Sequence, residues 1–287
     1  MARVPNRSSR VDPGIMMGAG MPVKGRPDKI KSPVKRAVKR PAGGRAIAAR
    51  SGGNKVDELL GGGFPFKSNI LVQGPAFVGK DALLTQFVSE GIKTGAPCIV
   101  ILTHSTTSQM RKKIVEMDHQ IQEREKQGLI TYIDCYSKTA GLMGKNPFAL
   151  YLKGVDDIDA LSDAIERFQI GYKEKYFYHR LIFDSLSTVV RTHGLNRTMD
   201  FLHGLKAKTN AYSGIALLDL VGGIHQPDEI SSLESIVDGT VLMKEEKGKY
   251  FMMVKGLPNA KSREWMEYQF SDQGIDIKGI YSYSYIQ

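Results

Sequence analysis

Residues 69–88 set three things directly in line: a strand-length apolar run, a loop framed by two glycines and closed by a lysine, and a helical run. The first is Asn69-Ile70-Leu71-Val72, the loop is Gly74-Pro75-Ala76-Phe77-Val78-Gly79-Lys80-Asp81, and Ala82 to Val88 carry the helix. A G-x-x-x-x-G-K loop between a strand and a helix is a phosphate cradle. Gly74 and Gly79 let the backbone N–H groups of residues 76–82 curl around phosphate oxygens without a Cβ in the way. The helix start adds partial positive charge, and Lys80 reaches the terminal phosphates. The eighth position departs from the pattern. A Ser or Thr hydroxyl normally ligates Mg²⁺ there, and this chain has Asp81. A carboxylate binds Mg²⁺ but also places negative charge beside the phosphates. Nucleotide binding, with ATP and Mg as ligands, is therefore expected, and ordinary hydrolysis is in question.

The same alternation continues along the chain. Strands are predicted at 70–73, 98–102, 130–133, 181–183, 215–220, 240–243, 249–254 and 267–270. Helices are predicted at 80–93, 107–117, 157–169 and 197–209, and residues 146–157 read as a loop with helix fragments. Near-continuous apolar strands separated by helices imply a mostly parallel α/β sheet covered on both faces, here with antiparallel closing strands. Cys98 and Cys135 make no metal spacing and fit a reducing, cytoplasmic compartment. The longest apolar runs are of strand length, so no membrane span is expected.

The charge is concentrated at one end. Residues 1–54 carry 13 of the 40 basic residues but only two of the 30 acidic ones, Asp12 and Asp28, leaving 27 basic against 28 acidic in the rest. This stretch has no aromatic residue and holds six of the 12 prolines. It cannot bury enough apolar surface to offset its ordering entropy, and reads as a disordered tail ending before Lys55. Weak binding of nucleic acid or another acidic partner is its functional reading; a solvated leader is the bland one.

A second nucleotide signal is Arg180-Leu181-Ile182-Phe183-Asp184-Ser185-Leu186-Ser187. An apolar strand ending in Asp places that carboxylate at the ligand-facing end of an open α/β sheet, where Asp184 would hold Mg²⁺ opposite the phosphates.

Together with Asp57-Glu58-Leu59-Leu60-Gly61-Gly62-Gly63-Phe64-Pro65 before the first core strand, and a closing region running from Ile236-Val237-Asp238-Gly239 through Val254-Lys255-Gly256 to Tyr268-Gln269-Phe270 and Gly274-Ile275, these motifs resemble the KaiC-type branch of the RecA-like ATPases. The resemblance spans Val56 to Ile277. It implies one RecA-like nucleotide-binding domain over residues 55–287. It also implies a homo-oligomeric ring, commonly a hexamer, with ATP between neighbours and Lys255 reaching into the adjacent site. An archaellum-motor-like scaffold and a recombinase-accessory ATPase acting on DNA are further precedents within that resemblance.

Three positions depart from the family pattern. Asp81 stands for the hydroxyl ligand. Thr103-His104 stands where the family has an acidic pair that orients the attacking water. Leu257 stands for an Arg expected to act in trans. Threonine is no base at neutral pH; His104 is the candidate base, its bland reading being a polar strand end. The expectation is a nucleotide-binding regulatory or assembly factor that hydrolyses slowly or not at all, and a carboxylate restored at position 103 would be expected to speed it. Asp219, at the end of its strand, sits where related proteins sense the terminal phosphate.

Overall fold

The structure, a computed structural model, describes residues 48–278. The chain begins with β1 (Ala48–Ala49), α1 (Asn54–Leu59), β2 (Phe64–Pro65), β3 (Ser68–Gly74), α2 (Lys80–Thr94), β4 (Cys98–Leu102) and α3 (Thr107–Met117). It continues through α4 (Ile121–Lys126), β5 (Ile130–Asp134), β6 (Ala149–Tyr151), α5 (Ile158–Lys173), β7 (His179–Asp184) and α6 (Leu186–Ala211). The closing elements are β8 (Gly214–Val221), α7 (Pro227–Ile236), β9 (Gly239–Glu246), β10 (Lys249–Lys255), β11 (Met266–Ser271) and β12 (Gly274–Ile277).

Ten strands form one sheet in the order β12-β11-β10-β9-β3-β8-β7-β4-β5-β6. Pairing is parallel from β9 to β6 and antiparallel from β9 to β12, as the sequence predicts. The parallel strands are apolar throughout because both faces are covered. In β4 the side chains of Cys98, Val100 and Leu102 join one core, and Ile99 and Ile101 the other. That alternation is the two-residue strand period with no solvent side.

Local signals set the helix ends. Thr106 and Gln109 form a reciprocal capping box at the start of α3, the Asp157 side chain accepts from the Ala160 N–H at the start of α5, and left-handed Gly95 closes α2. The helix predicted from residue 197 begins at Leu186 instead, with a kink at Gly194, where φ is 73°. Residues 146–157, expected as a loop, contain β6, which adds an edge strand beside β5.

The fold reaches further toward the N-terminus than a boundary at Lys55. Ala48–Ala49 pairs antiparallel with Phe64–Pro65, and Ser51 is fully buried. The Ser51 N–H donates to Asp57 at 2.5 Å, and Arg50 pairs with the same carboxylate at 3.0 Å. Of the tail expected over residues 1–54, residues 1–47 lie outside the described residues. Removing residues 1–53 strips Asp57 of both partners and takes the Arg50 carbonyl from buried Arg180. A loss of about 2–4 kcal/mol in urea unfolding is expected relative to the full chain.

His179, at the start of β7, is fully buried. Desolvation pushes its pKa down to about 4, a backbone contact with Tyr212 opposing weakly. The unfolded chain takes up this proton near pH 6.5, so between there and about pH 4 the unfolded state binds more protons and stability falls as pH falls. His179→Phe is expected to flatten that part of the stability–pH curve, read by denaturant midpoints.

Candidate functional site

The glycine loop joins the carboxyl end of β3 to α2, at the sheet end where open α/β proteins hold ligands. Its shape is fixed by neighbours as well as by its own residues. Gly74 runs against β9, where a Cβ would lie 2.4 Å from the Met243 carbonyl oxygen, and its own carbonyl accepts from the Gly222 N–H at 2.7 Å. Gly79 is left-handed at φ 79°, and a Cβ there would meet the Phe270 ring at 2.5 Å. Both glycines are thus required by close approach, and Gly79 also by conformation. The Tyr268 hydroxyl donates to the Val78 carbonyl. About two turns along α2, the Gln86 Oε1 accepts from the Ile275 N–H at 2.8 Å. The closing strands β11 and β12 therefore brace the loop and its helix. Pro75, Ala76 and Phe77 form the exposed rim, Phe77 at φ 65° and 92% exposed, while Ala82 is buried behind it.

Lys80 is buried and turned across the cradle. Its Nζ lies 2.8 Å from Asp219 Oδ1 and donates to the Leu220 carbonyl at 3.1 Å. Asp219 is the partner that holds the lysine extended toward the phosphate position. Asp184, at the end of β7, is nearly buried, with Oδ1 3.6 Å from His104 Nε2. Burial raises its pKa to about 6, with His104 opposing, Asp219 adding, Lys113 opposing and Asp81 adding. Gly74–Lys80, Asp184, Asp219 and His104 are thus brought to one end of the sheet.

Asp81 is placed differently from the expectation of a magnesium ligand. Its carboxylate is about half exposed and is engaged by Lys113 of α3 at 2.8 Å. Thr103 is also no free position. Its hydroxyl donates to the Ser185 carbonyl at 2.8 Å, accepts from the Ser185 N–H at 2.8 Å and lies 2.9 Å from the Thr188 hydroxyl. It stitches β4 to the turn after β7, so a glutamate there would break three hydrogen bonds, and the site for a restored carboxylate is the exposed neighbour His104. Leu257 is buried in the core against Gly239. Lys255 is exposed and lies opposite Thr240, near the start of β9. That is the amino end of β9, level with Leu71 in the middle of β3 rather than with the loop after Gly74.

Sequence reasoning missed Lys113 and His225. His225 Nε2 lies 2.9 Å from the Ser187 hydroxyl, which also accepts from the Val221 N–H at 2.9 Å. Burial lowers the His225 pKa, with Glu229 raising it and Arg191 lowering it. A lysine on a polar helix face and a histidine in a loop carry no local signal of a site; only the fold brings them to it.

The profile of the KaiC ATPase family matches residues 49–280. The chain belongs to the KaiC family. It is 28% identical over 244 residues to the circadian clock oscillator protein KaiC of Parathermosynechococcus lividus, covering 81% of this chain and 41% of that protein. A UPF0273 protein of Methanopyrus kandleri is 22% identical over 237 residues, covering 77% of this chain and 88% of the relative. The chain thus spans less than half the length of the KaiC clock protein and most of the archaeal relative. The fold matches a KaiC-like protein of the hyperthermophilic archaeon Pyrococcus horikoshii with a TM-score of 0.62 at 19% identity, covering 81% of this chain and 99% of that one. The KaiC-type reading of the sequence and its RecA-like fold are therefore borne out. Among the described residues no helix is long and apolar enough to cross a membrane.

The residues present fit a nucleotide: the loop takes a shape that only glycine allows at 74 and 79, and Lys80 stands at its end. They fit the ordinary magnesium centre poorly. Asp184 offers one carboxylate, but the position after Lys80 supplies no hydroxyl, and its carboxylate is taken by Lys113.

Proposed function

We propose that this KaiC-family chain is a nucleotide-occupancy device: it binds ATP in the Gly74–Lys80 loop, turns it over slowly, and uses occupancy to set assembly and partner binding. The observation that carries this reading is Thr103. Where a hydrolysing relative needs a water-orienting carboxylate, this chain has a hydroxyl whose hydrogen bonds are all spent on Ser185 and Thr188. Losing that group typically costs orders of magnitude in rate. Lys255, exposed and level with the middle of β3 rather than with its own loop, is read as serving a neighbouring copy in a homo-oligomeric ring, in family terms a hexamer. The basic tail supplies weak, strongly salt-dependent contact with nucleic acid or another acidic partner.

Phosphate release by the purified full chain tests the rate. Turnover near background is expected, and His104→Glu is expected to raise it, since position 104 is exposed and lies beside Asp184. Brisk turnover by the native chain, lost in Asp184→Ala, would overturn the slow-turnover reading. It would favour a second one, an active ATPase in which His104, 3.6 Å from Asp184, serves as the base.

A further inference from the structure

The disagreement between Asp81 and an ordinary magnesium centre has a positive side. Asp81 is the first residue after the phosphate-loop lysine, in the first turn of α2. The group it holds is an ammonium. Lys113 Nζ lies 2.8 Å from Asp81 Oδ2, with both side chains about half exposed. Lys113 comes from α3, which follows β4, three places from β3 in the sheet, so the fold and not the local sequence delivers this charge to Asp81. It is close enough to Asp184 to oppose the rise in that group's pKa. The cation therefore stands among the residue after Lys80, the carboxylate at the end of β7 and the loop, the region where a divalent ion bridges protein and phosphate in related sites.

The two arrangements compete. For Asp81 to ligate a metal it would have to leave Lys113, and an unpaired carboxylate would then face the phosphates. Kept on Lys113, it is neutralised and serves to hold the ammonium. An exposed ion pair of this kind is weak and leaves the stem mobile, and the ammonium has three N–H donors, so it can keep one on Asp81 and turn another to an incoming phosphate oxygen, where a charge-assisted hydrogen bond is the stronger contact.

We propose that Lys113, positioned by Asp81, takes the charge-neutralising place of a protein-held divalent ion, so that this chain binds ATP with an affinity nearly independent of magnesium. The inference rests on the nucleotide reading above and goes beyond it by assigning Lys113 as a further nucleotide-binding residue and Asp81 as a positioning residue.

Equilibrium binding of ATP to the full chain, measured in magnesium and in EDTA, tests it. Native affinity should differ by less than about threefold between the two solutions. Lys113→Gln should lose about tenfold in EDTA and less in magnesium, because the ion then supplies the missing charge. Asp81→Thr, which returns the hydroxyl and frees Lys113, should gain a magnesium dependence of about tenfold. Both side chains lie on the surface, so both variants should keep the native unfolding midpoint. A native chain whose affinity falls tenfold or more on chelation overturns the inference while leaving the nucleotide reading intact. So does a Lys113→Gln variant that binds like the native chain in EDTA. Absence of ATP binding in both solutions overturns the nucleotide reading, and this inference with it.

Discussion

A Lys80→Ala chain is expected to bind ATP about thirtyfold more weakly than the native one, the equivalent of one charge-assisted contact to the terminal phosphates. It should also unfold more readily. Lys80 and Asp219 are both buried and lie 2.8 Å apart, so removing the lysine strands a carboxylate in a dry site, at a cost of about 3 kcal/mol. The two effects separate in a double variant. Lys80→Ala with Asp219→Asn should regain most of the lost stability, because the asparagine carries no charge to strand, and none of the lost affinity. Calorimetry for binding and urea midpoints for folding read the two quantities independently. A double variant that recovered ATP affinity would show that Asp219, and not the loss of the ammonium, limits the site.

Arg180→Ala should be the most destabilising single change in the folded domain, at about 3–5 kcal/mol in urea unfolding. Arg180 is buried beneath α2, and among the described residues no carboxylate pairs with it. Its Nη1 donates to the carbonyls of Arg50 at 2.9 Å and Phe87 at 2.7 Å, and its guanidinium lies 4.5 Å from the centroid of the Phe87 ring. Alanine leaves a cavity, removes a donor from both carbonyls and uncovers a ring face. Arg180→Met keeps most of the volume and should cost roughly half as much. If the two variants unfold at the same midpoint, the retained volume contributes nothing and the lost guanidinium contacts account for the whole cost.

The parallel sheet, the loop and Asp184 were legible in the sequence because each is written locally: apolar runs of strand length, glycines at fixed spacing, an acidic residue at a strand end. The elements that escaped are short or interrupted. β6 is three half-buried residues whose only partner is β5. α4 is six residues long. The first turns of α6 hide behind Gly194, a break in the helical pattern that the fold accommodates as a kink. The site shows the same division. Thr103 was read as a missing acid, and only the structure reveals what it does, because its partners Ser185 and Thr188 are 82 and 85 residues away. Arg50 and Ser51 were assigned to the tail because a polar stretch without aromatics gives no sign that Asp57 and Arg180 wait for it.

The bracing of the glycine loop by Tyr268 and of α2 by Ile275 fixes when, as well as where, this protein can hold its ligand. Val78 and Tyr268 are 190 residues apart, and Gln86 and Ile275 are 189. On the ribosome the whole cradle emerges long before the two strands that hold it in shape. A growing chain can pair β3 with β8 and begin to bury its core, yet the loop stays unsupported until the last strands have been made. Ligand grip should therefore be acquired only once residues 268–275 have been made, and forfeited when a cut removes them.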